Sequence, residues 1–337
     1  MLKNKKEKAF GFTLTRSWEF YIFILLILVF IINFILSPKI FTAVNMIDAT
    51  LLFMESSIIA LPMAIAIICG IIDISVAAIA ALSGVVLGVC FRAGLNIGVC
   101  IVIGLFVGLF AGFLNGLIIT RLRMPSIIVT LAMLFVYRGI CYILLGDLAI
   151  RDLPQKFGIL GGAIDMGPVP IPLIIFLILA VIFAFLLHFT GFGRKVYAIG
   201  SNENAAIFSG IEVAKIRLIA TSILGLVAGL SGILLTSRIG SARPDIANGR
   251  EMAIITICLL GGVYIFGGKG SILGVVISSF IIGYLYYGLS ILRVQDTRIR
   301  IITGCVLIIA LMIPTIINRI NEKRLIKGEL LKSQIKI

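Results

Sequence analysis

Ionisable side chains are scarce where this chain is most apolar, and the few that occur there are the first candidates for chemistry. Glu55, Asp73 and Arg138 lie within long apolar stretches. A charge at membrane depth is costly and usually faces a bundle interior or a water-filled cavity. Glu55, Asp73, Arg138 and the amide Asn115 are therefore the candidate lining of a translocation pathway. Asp73, followed by Ser75, fits the start of a half-helix at least as well, its carboxylate capping free N–H groups at the positive end of the dipole. Glu55 precedes Pro62 by a turn or two and is placed to line a path or to pair with Arg138. Three scattered groups do not make a proton relay.

Other chemistries lack their residues. The nearest approach to a phosphate-binding P-loop runs from Gly262 to Ser271. After Gly267 that pattern demands Lys then Ser or Thr, but the chain gives Gly268, and Lys269 is followed by Gly270. Nucleotide hydrolysis by this chain is not expected. The only histidine, His188, stands beside no Cys or carboxylate at metal-ligand spacing, so no metal site is expected. The six cysteines form no CxxC pair and read as small apolar packing residues. With no nucleophile elbow or HExxH motif, an intramembrane enzyme has no constellation to build on.

The elements that must position these residues are membrane helices. Of 337 residues, 61% are hydrophobic and 13% charged, against about half and about a quarter in a soluble domain. Apolar segments fall near 20–36, 47–68, 74–91, 97–119, 126–145, 169–189, 218–237, 252–266, 272–290 and 299–317. The expected fold is all-α, a polytopic membrane protein of about ten helices. Residues 1–19 and 318–337 are expected as cytoplasmic tails around a transmembrane domain at 20–317. The charged start leads into a segment too long for the core of a signal peptide, with no convincing small-residue cleavage site.

Charge sets the expected orientation. Lys and Arg number 29 against 15 Asp and Glu. Ten crossings put both termini on one side, which then carries eighteen basic residues against ten opposite. The positive-inside rule places that side in the cytoplasm. The basic residues sit at segment ends and tails, where anionic lipid explains them better than nucleic acid.

Glycine spacing predicts packing. Gly104, Gly108, Gly112 and Gly116 recur every fourth residue, as do Gly225 and Gly229. Such stripes let helices approach closely where lipid offers no hydrophobic drive for association. Two apolar stretches are also broken by glycine, at Gly70 and at Gly261, Gly262, Gly267 and Gly268. Met63-Ala64-Ile65 before the first and Met252-Ala253-Ile254 before the second hint at an internal repeat. Broken hydrophobic segments in matching halves point to a transport pathway, because irregular backbone at membrane depth must line a cavity or be buried.

The longest inner loop, 190–217, carries the sharpest signal. Ser201 or Asn202 can cap a short helix with Glu203 in its first turn and Gly210 at its end. Its apolar side, Ala206, Ile207 and Ile211, is expected at the surface. Such a helix either docks a partner or lies on the bilayer.

At this loop the chain resembles the permease subunits of bacterial ATP-binding-cassette sugar importers, the ribose, arabinose, xylose, rhamnose and autoinducer-2 group. Ala205-Ala206-x-x-x-Gly210 is similar to the motif by which such permeases engage their ATPases. Four further blocks agree in order. They are Gly70-Ile71-Ile72-Asp73-Ile74-Ser75, Ile128-Val129-Thr130-Leu131 with Tyr137-Arg138-Gly139, Gly240-Ser241-Ala242-Arg243-Pro244, and Leu260-Gly261-Gly262 through Gly274. Within that group the chain most resembles rhamnose-type and autoinducer-2-type permeases. Ile71 departs from the family's usual second glycine, and Ala77 from the glycine that commonly follows Ser-Val.

The resemblance implies a non-catalytic subunit of the bacterial inner membrane that works as a homo- or heterodimer of permeases. It implies an ATPase subunit that binds ATP and Mg, docked against Gly200, Asn202, Glu203, Ala205, Ala206 and Gly210. It also implies a periplasmic or lipid-anchored sugar-binding protein at the outer loops. The rival reading is a secondary transporter driven by an ion gradient, which shares the composition, the broken helices and the buried acids but needs no docking helix.

Overall fold

The computed structural model describes residues 18–36, 42–162 and 169–295, with isolated positions from 298 to 312. The described chain is helical, with one antiparallel bridge between Ile150 and Ala242. In chain order the helices are α1 (Trp18–Leu36), α2 (Ala43–Thr50), α3 (Met54–Ile68), α4 (Val76–Arg92), α5 (Ile97–Arg121) and α6 (Ser126–Leu145). After a 3-10 turn at Gln155–Ile159 come α7 (Ile171–Phe189), α8 (Gly191–Ser201), α9 (Glu203–Phe208), α10 (Val213–Ile239), α11 (Arg250–Leu260) and α12 (Ile272–Ile291).

Local chemistry sets these boundaries. Thr42, Asn96, Thr190, Asn202 and Ser271 each cap a helix by accepting a backbone N–H two or three residues on. Gly70, Gly210 and Gly262 end α3, α9 and α11 with φ of +84°, +77° and +84°, a conformation that favours glycine.

Nine of the ten expected segments coincide with helix, and the tenth, 299–317, lies largely outside the described residues. Ten full crossings are not reached among the described residues. Among the described residues six helices are long and apolar enough to span, or seven if α2 and α3, bent by 54°, form one span. The shortfall comes from the breaks. Gly261 and Gly262 stop α11 after 11 residues, a rise of about 17 Å, roughly half the hydrocarbon thickness.

α3 is buried along its whole length, packed against α7, α10, α11 and α12. α5, α6 and α7 bury only a narrow stripe and turn Val102, Phe106, Phe135, Ile143, Val181 and Phe185 outward. In water that surface would be unstable; facing acyl chains it needs no cover.

The glycine seam is the tightest joint. α5 and α10 pack more extensively than any other pair, and the two stripes meet each other. A Cβ added at Gly108 would lie 2.6 Å from Gly225 O, and one at Gly112 would lie 2.8 Å from Gly225 Cα. Backbones this close gain dispersion along their length, the term that holds helices together in lipid.

Candidate functional site

The candidate residues separate into three clusters, at the C-terminal end of α3, at the break after it, and at its N-terminal end. Ile68 and Met54, the two ends of this helix, are about 20 Å apart by helical rise.

The C-terminal end is a knot of backbone. Gly200 in α8 lies against Ile68 O and Gly268 N, where any Cβ would overlap both. Gly268 N donates to Ile68 O at 2.9 Å. The Tyr197 hydroxyl donates to Gly270 O at 2.6 Å, and burial pushes its pKa up, which keeps it a donor. Trp18 Nε1 donates to Leu260 O, and Ser271 Oγ donates to Glu19 Oε1, both at 2.9 Å. The start of α1 therefore sits at the same end as α8 and the 261–271 loop. The glycines expected as membrane breaks serve here as close-approach points.

α9 stands on this knot. Asn202 Oδ1 accepts from Ala205 N at 3.0 Å, so Asn202 rather than Ser201 is the cap. Arg217 Nη1 and Nη2 donate to Glu203 Oε1 and Oε2, both at 2.8 Å, while Arg217 Nε approaches Cys69 O at 3.5 Å. One guanidinium thus bridges the short helix and the end of α3. The expected apolar face needs correction. Ala206 is 3% exposed and faces inward, whereas Ile207 at 53% and Phe208 at 91% face out. Ala206 is the position that packs on the bundle, and six residues make too short a helix for spacing alone to choose its buried side. The loop also holds a second helix, α8, which was not expected.

The break between α3 and α4 is closed by a network of hydrogen bonds. Asp73 is buried, and its Oδ1 accepts from Ser75 N at 2.8 Å and Ser75 Oγ at 2.6 Å. Asn115 Nδ2 donates to Asp73 Oδ2 at 3.0 Å, and the Tyr137 hydroxyl lies 2.9 Å from Asn115 Oδ1. Ser126 Oγ and Thr130 Oγ1, from α6, accept the Ile72 and Ile74 amides at 3.2 Å. An open backbone at this depth would leave several polar groups unsatisfied; α6 supplies the partners. Asp73 and Asn115 spend their polar atoms on each other and on the start of α4. Ser126, Thr130 and Tyr137 are the residues sequence reasoning did not single out, although the last two lie in blocks that carried the resemblance.

At the N-terminal end, Glu55 is 1% exposed and pairs with two arginines. Arg238 Nε lies 2.5 Å from Oε1, and Arg250 Nη1 lies 3.5 Å from Oε2. The expected pairing with Arg138 does not form. α6 docks on α4, whereas the end of α10 and the start of α11 converge on the start of α3. Arg138 instead donates through Nη1 to Pro244 O at 2.5 Å and Ile246 O at 2.9 Å, pinning the 240–249 loop. Arg243 and Asp245 pair with each other, half-exposed, beside an open cleft of about 660 Å³ that Tyr142, Asp147 and Arg151 also line.

A helical bundle whose outer helices turn apolar flanks outward defines a multi-pass membrane protein. The comparisons narrow that class. Residues 45–311 match the family described as the permease component of branched-chain amino acid transport systems, and the chain belongs to it. It is 36% identical over 294 residues to a ribose import permease of Bacillus subtilis, covering 87% of this chain and 90% of the relative. A D-allose transport system permease of Escherichia coli is 36% identical over 320 residues, 93% and 96% of the two chains. An autoinducer 2 import system permease of Photorhabdus temperata is 32% identical over 302 residues, 88% and 90%. No solved structure matches the chain.

Proposed function

We propose that this chain is the membrane-spanning permease subunit of an ATP-binding-cassette importer for a monosaccharide or sugar-like polyol. The observation that carries the reading is α9. Its Ile207 and Phe208 side chains are exposed on a six-residue helix tied to the end of α3 through the Glu203–Arg217 pair. An exposed apolar pair with a rigid base suits a protein partner. That partner is a cytoplasmic ATPase subunit, which binds ATP and Mg, and its closure moves α9 together with Gly200, Glu203 and Arg217.

In this reading the chain crosses a bacterial inner membrane ten times. The start of α1 lies beside α8, which supports a cytoplasmic N-terminus, and an even number of crossings puts the C-terminus there too. A second permease copy or paralogue completes the membrane unit. A sugar-binding protein delivers substrate at the outer loops near 146–162 and 240–249. The names of the relatives, import permeases for ribose, allose and autoinducer 2, support this substrate class. They favour ATP over an ion gradient as the energy source.

Purification of the tagged protein from its native membrane in mild detergent, followed by mass spectrometry, tests the assembly. Recovery of a P-loop ATPase and a sugar-binding protein is expected. Recovery of the chain alone after cross-linking, with uptake abolished by an ionophore while ATP stays high, would overturn the reading in favour of a gradient-driven carrier.

A further inference from the structure

The Glu55 cluster has no place in the inner knot or the docking surface, yet it is the most expensive polar feature of the outer half. A carboxylate that is 1% exposed must be paired and hydrogen-bonded to persist in a low-dielectric interior. Two guanidinium groups on two other helices do this. Arg238 comes from the last turn of α10 and Arg250 from the first residue of α11. Three helices therefore converge on one side chain.

Directly beneath lies a narrow chamber. Glu55, Ser56, Ala77, Ser231, Ala247 and Arg250 are among its walls, and Ser231 Oγ donates to Glu55 O at 2.7 Å. Its volume is about 10 Å³, room for no more than one water. Ile59, Leu235 and Ile254 make the remaining walls apolar, and Glu55 and Arg250 bring the ion cluster to its edge. A strap, residues 240–249, crosses above and carries Arg250 at its end. Reciprocal Ile150–Ala242 backbone bonds and the Arg138 contacts to Pro244 O and Ile246 O hold the strap down. Ala247, within it, has φ of +61°, a conformation that costs an alanine energy and persists only where the surroundings impose it.

We infer that Glu55, Arg238 and Arg250 are an outer latch, closed in this structure, which must part for a polyol to enter the chamber lined by Ser56 and Ser231. The two ion contacts are unequal. Arg238 holds Glu55 at 2.5 Å and stays with it, whereas Arg250, at 3.5 Å on a strained strap, is the member that leaves. Of the ion contacts, moving the start of α11 away from α3 breaks only this longer one and leaves a neutral Glu55–Arg238 pair, so opening strands no buried charge. Once apart, the carboxylate and guanidinium groups present acceptors and donors that suit sugar hydroxyls. The inference rests on the importer reading, since a latch has meaning only on a path.

The test uses the full complex of permease, ATPase and binding protein in proteoliposomes. A reporter thiol, Ser56→Cys, is probed from the outer side with a membrane-impermeant thiosulfonate, against the parent protein as background. With the latch closed the reporter should be protected. Arg250→Ala should raise its labelling rate about tenfold without ATP, the change expected from removing about 1.4 kcal/mol of bias towards the closed state. Sugar-loaded binding protein and ATP should do the same in the Arg250 background. Arg250→Lys, which keeps a cation at the position, should fall between the two.

Labelling of Ser56→Cys at rest at the Arg250→Ala rate would overturn the latch. So would protection that persists in assembled Arg250→Ala complex, verified by size-exclusion chromatography. ATP-driven uptake by the unsubstituted complex reports on the importer reading separately. Uptake with unchanged labelling sinks the latch alone, and absence of ATP-driven uptake sinks the importer reading.

Discussion

The two ends of α3 are held in opposite ways. At the C-terminal end, Ile68 O, Gly200 and Gly268 meet backbone to backbone, and no side chain can turn aside to release them. At the N-terminal end, Glu55, Arg238 and Arg250 meet through long side chains whose ionic partners can be exchanged. Packed backbone transmits displacement, because interiors at this density deform little. Exchangeable ion contacts suit a joint that opens. The contrast teaches that α3 is fixed by backbone at one end and held by exchangeable side chains at the other, an arrangement suited to carrying movement along the helix.

The largest effect should come from breaking the C-terminal end. Gly200→Val places a branched side chain where Ile68 O and Gly268 N already lie, at a cost of about 3 kcal/mol. The expected outcome is loss of monodisperse protein on size-exclusion chromatography after detergent extraction. A Gly200→Val protein with wild-type thermal stability would show that the knot is not rigid.

Phe208→Ala should leave the fold untouched, since this ring is 91% exposed, yet weaken ATPase docking by about 2 kcal/mol. Affinity for the ATPase, measured by biolayer interferometry on nanodisc-held permease, checks it, with melting temperature as the control. Equal affinity would remove the aromatic from the docking surface.

Gly210→Ala separates conformation from contact. No atom lies within 4 Å of the added methyl, but φ is +77°, so the cost is conformational only, about 1 kcal/mol. α9 should loosen and transport should fall, with membrane insertion intact and hydrogen exchange at residues 203–208 faster. Unchanged exchange would place the end of the helix under other control.

The smallest effect belongs to the outer surface. Arg243→Ala removes a half-exposed pair with Asp245, worth roughly 0.5 kcal/mol or less. Thermal stability should stay the same within error, which isolates Glu55 as the outer group that matters. A marked loss of stability would move the outer closure from the buried cluster to the strap.

Much of the fold is legible in the sequence, for physical reasons that also say where reading stops. Segment 126–145 is identical with α6, and 97–119 ends two residues short of α5. A run of apolar residues the length of a bilayer has few other fates. The glycine stripes foretold a close helix pair, and the two stripes turn out to face each other, because only small residues permit that approach. The caps at Asn202 and Gly210 were readable from side-chain chemistry within a few residues.

Long-range partners were not readable. Arg238 and Arg250 lie 183 and 195 residues from Glu55, and nothing local distinguishes them from Arg138, whose role proved to be pinning a loop. Thr130 and Ser126 looked like ordinary membrane-helix hydroxyls until the break at 69–75 supplied their partners. The side of α9 that packs inward depended on where α8 and α10 sit, which six residues cannot encode.

The central claim is that α9 is the docking surface for an ATPase, and a photo-crosslinker at Ile207 tests it most directly. Ile207 is half-exposed beside Phe208, so a benzophenone there reports on the partner without removing the aromatic. Irradiation of native membranes should give one adduct containing a P-loop ATPase, lost in the Phe208→Ala background. Adducts with lipid alone, in membranes where the ATPase is present, would make α9 a helix lying on the bilayer and contradict the account.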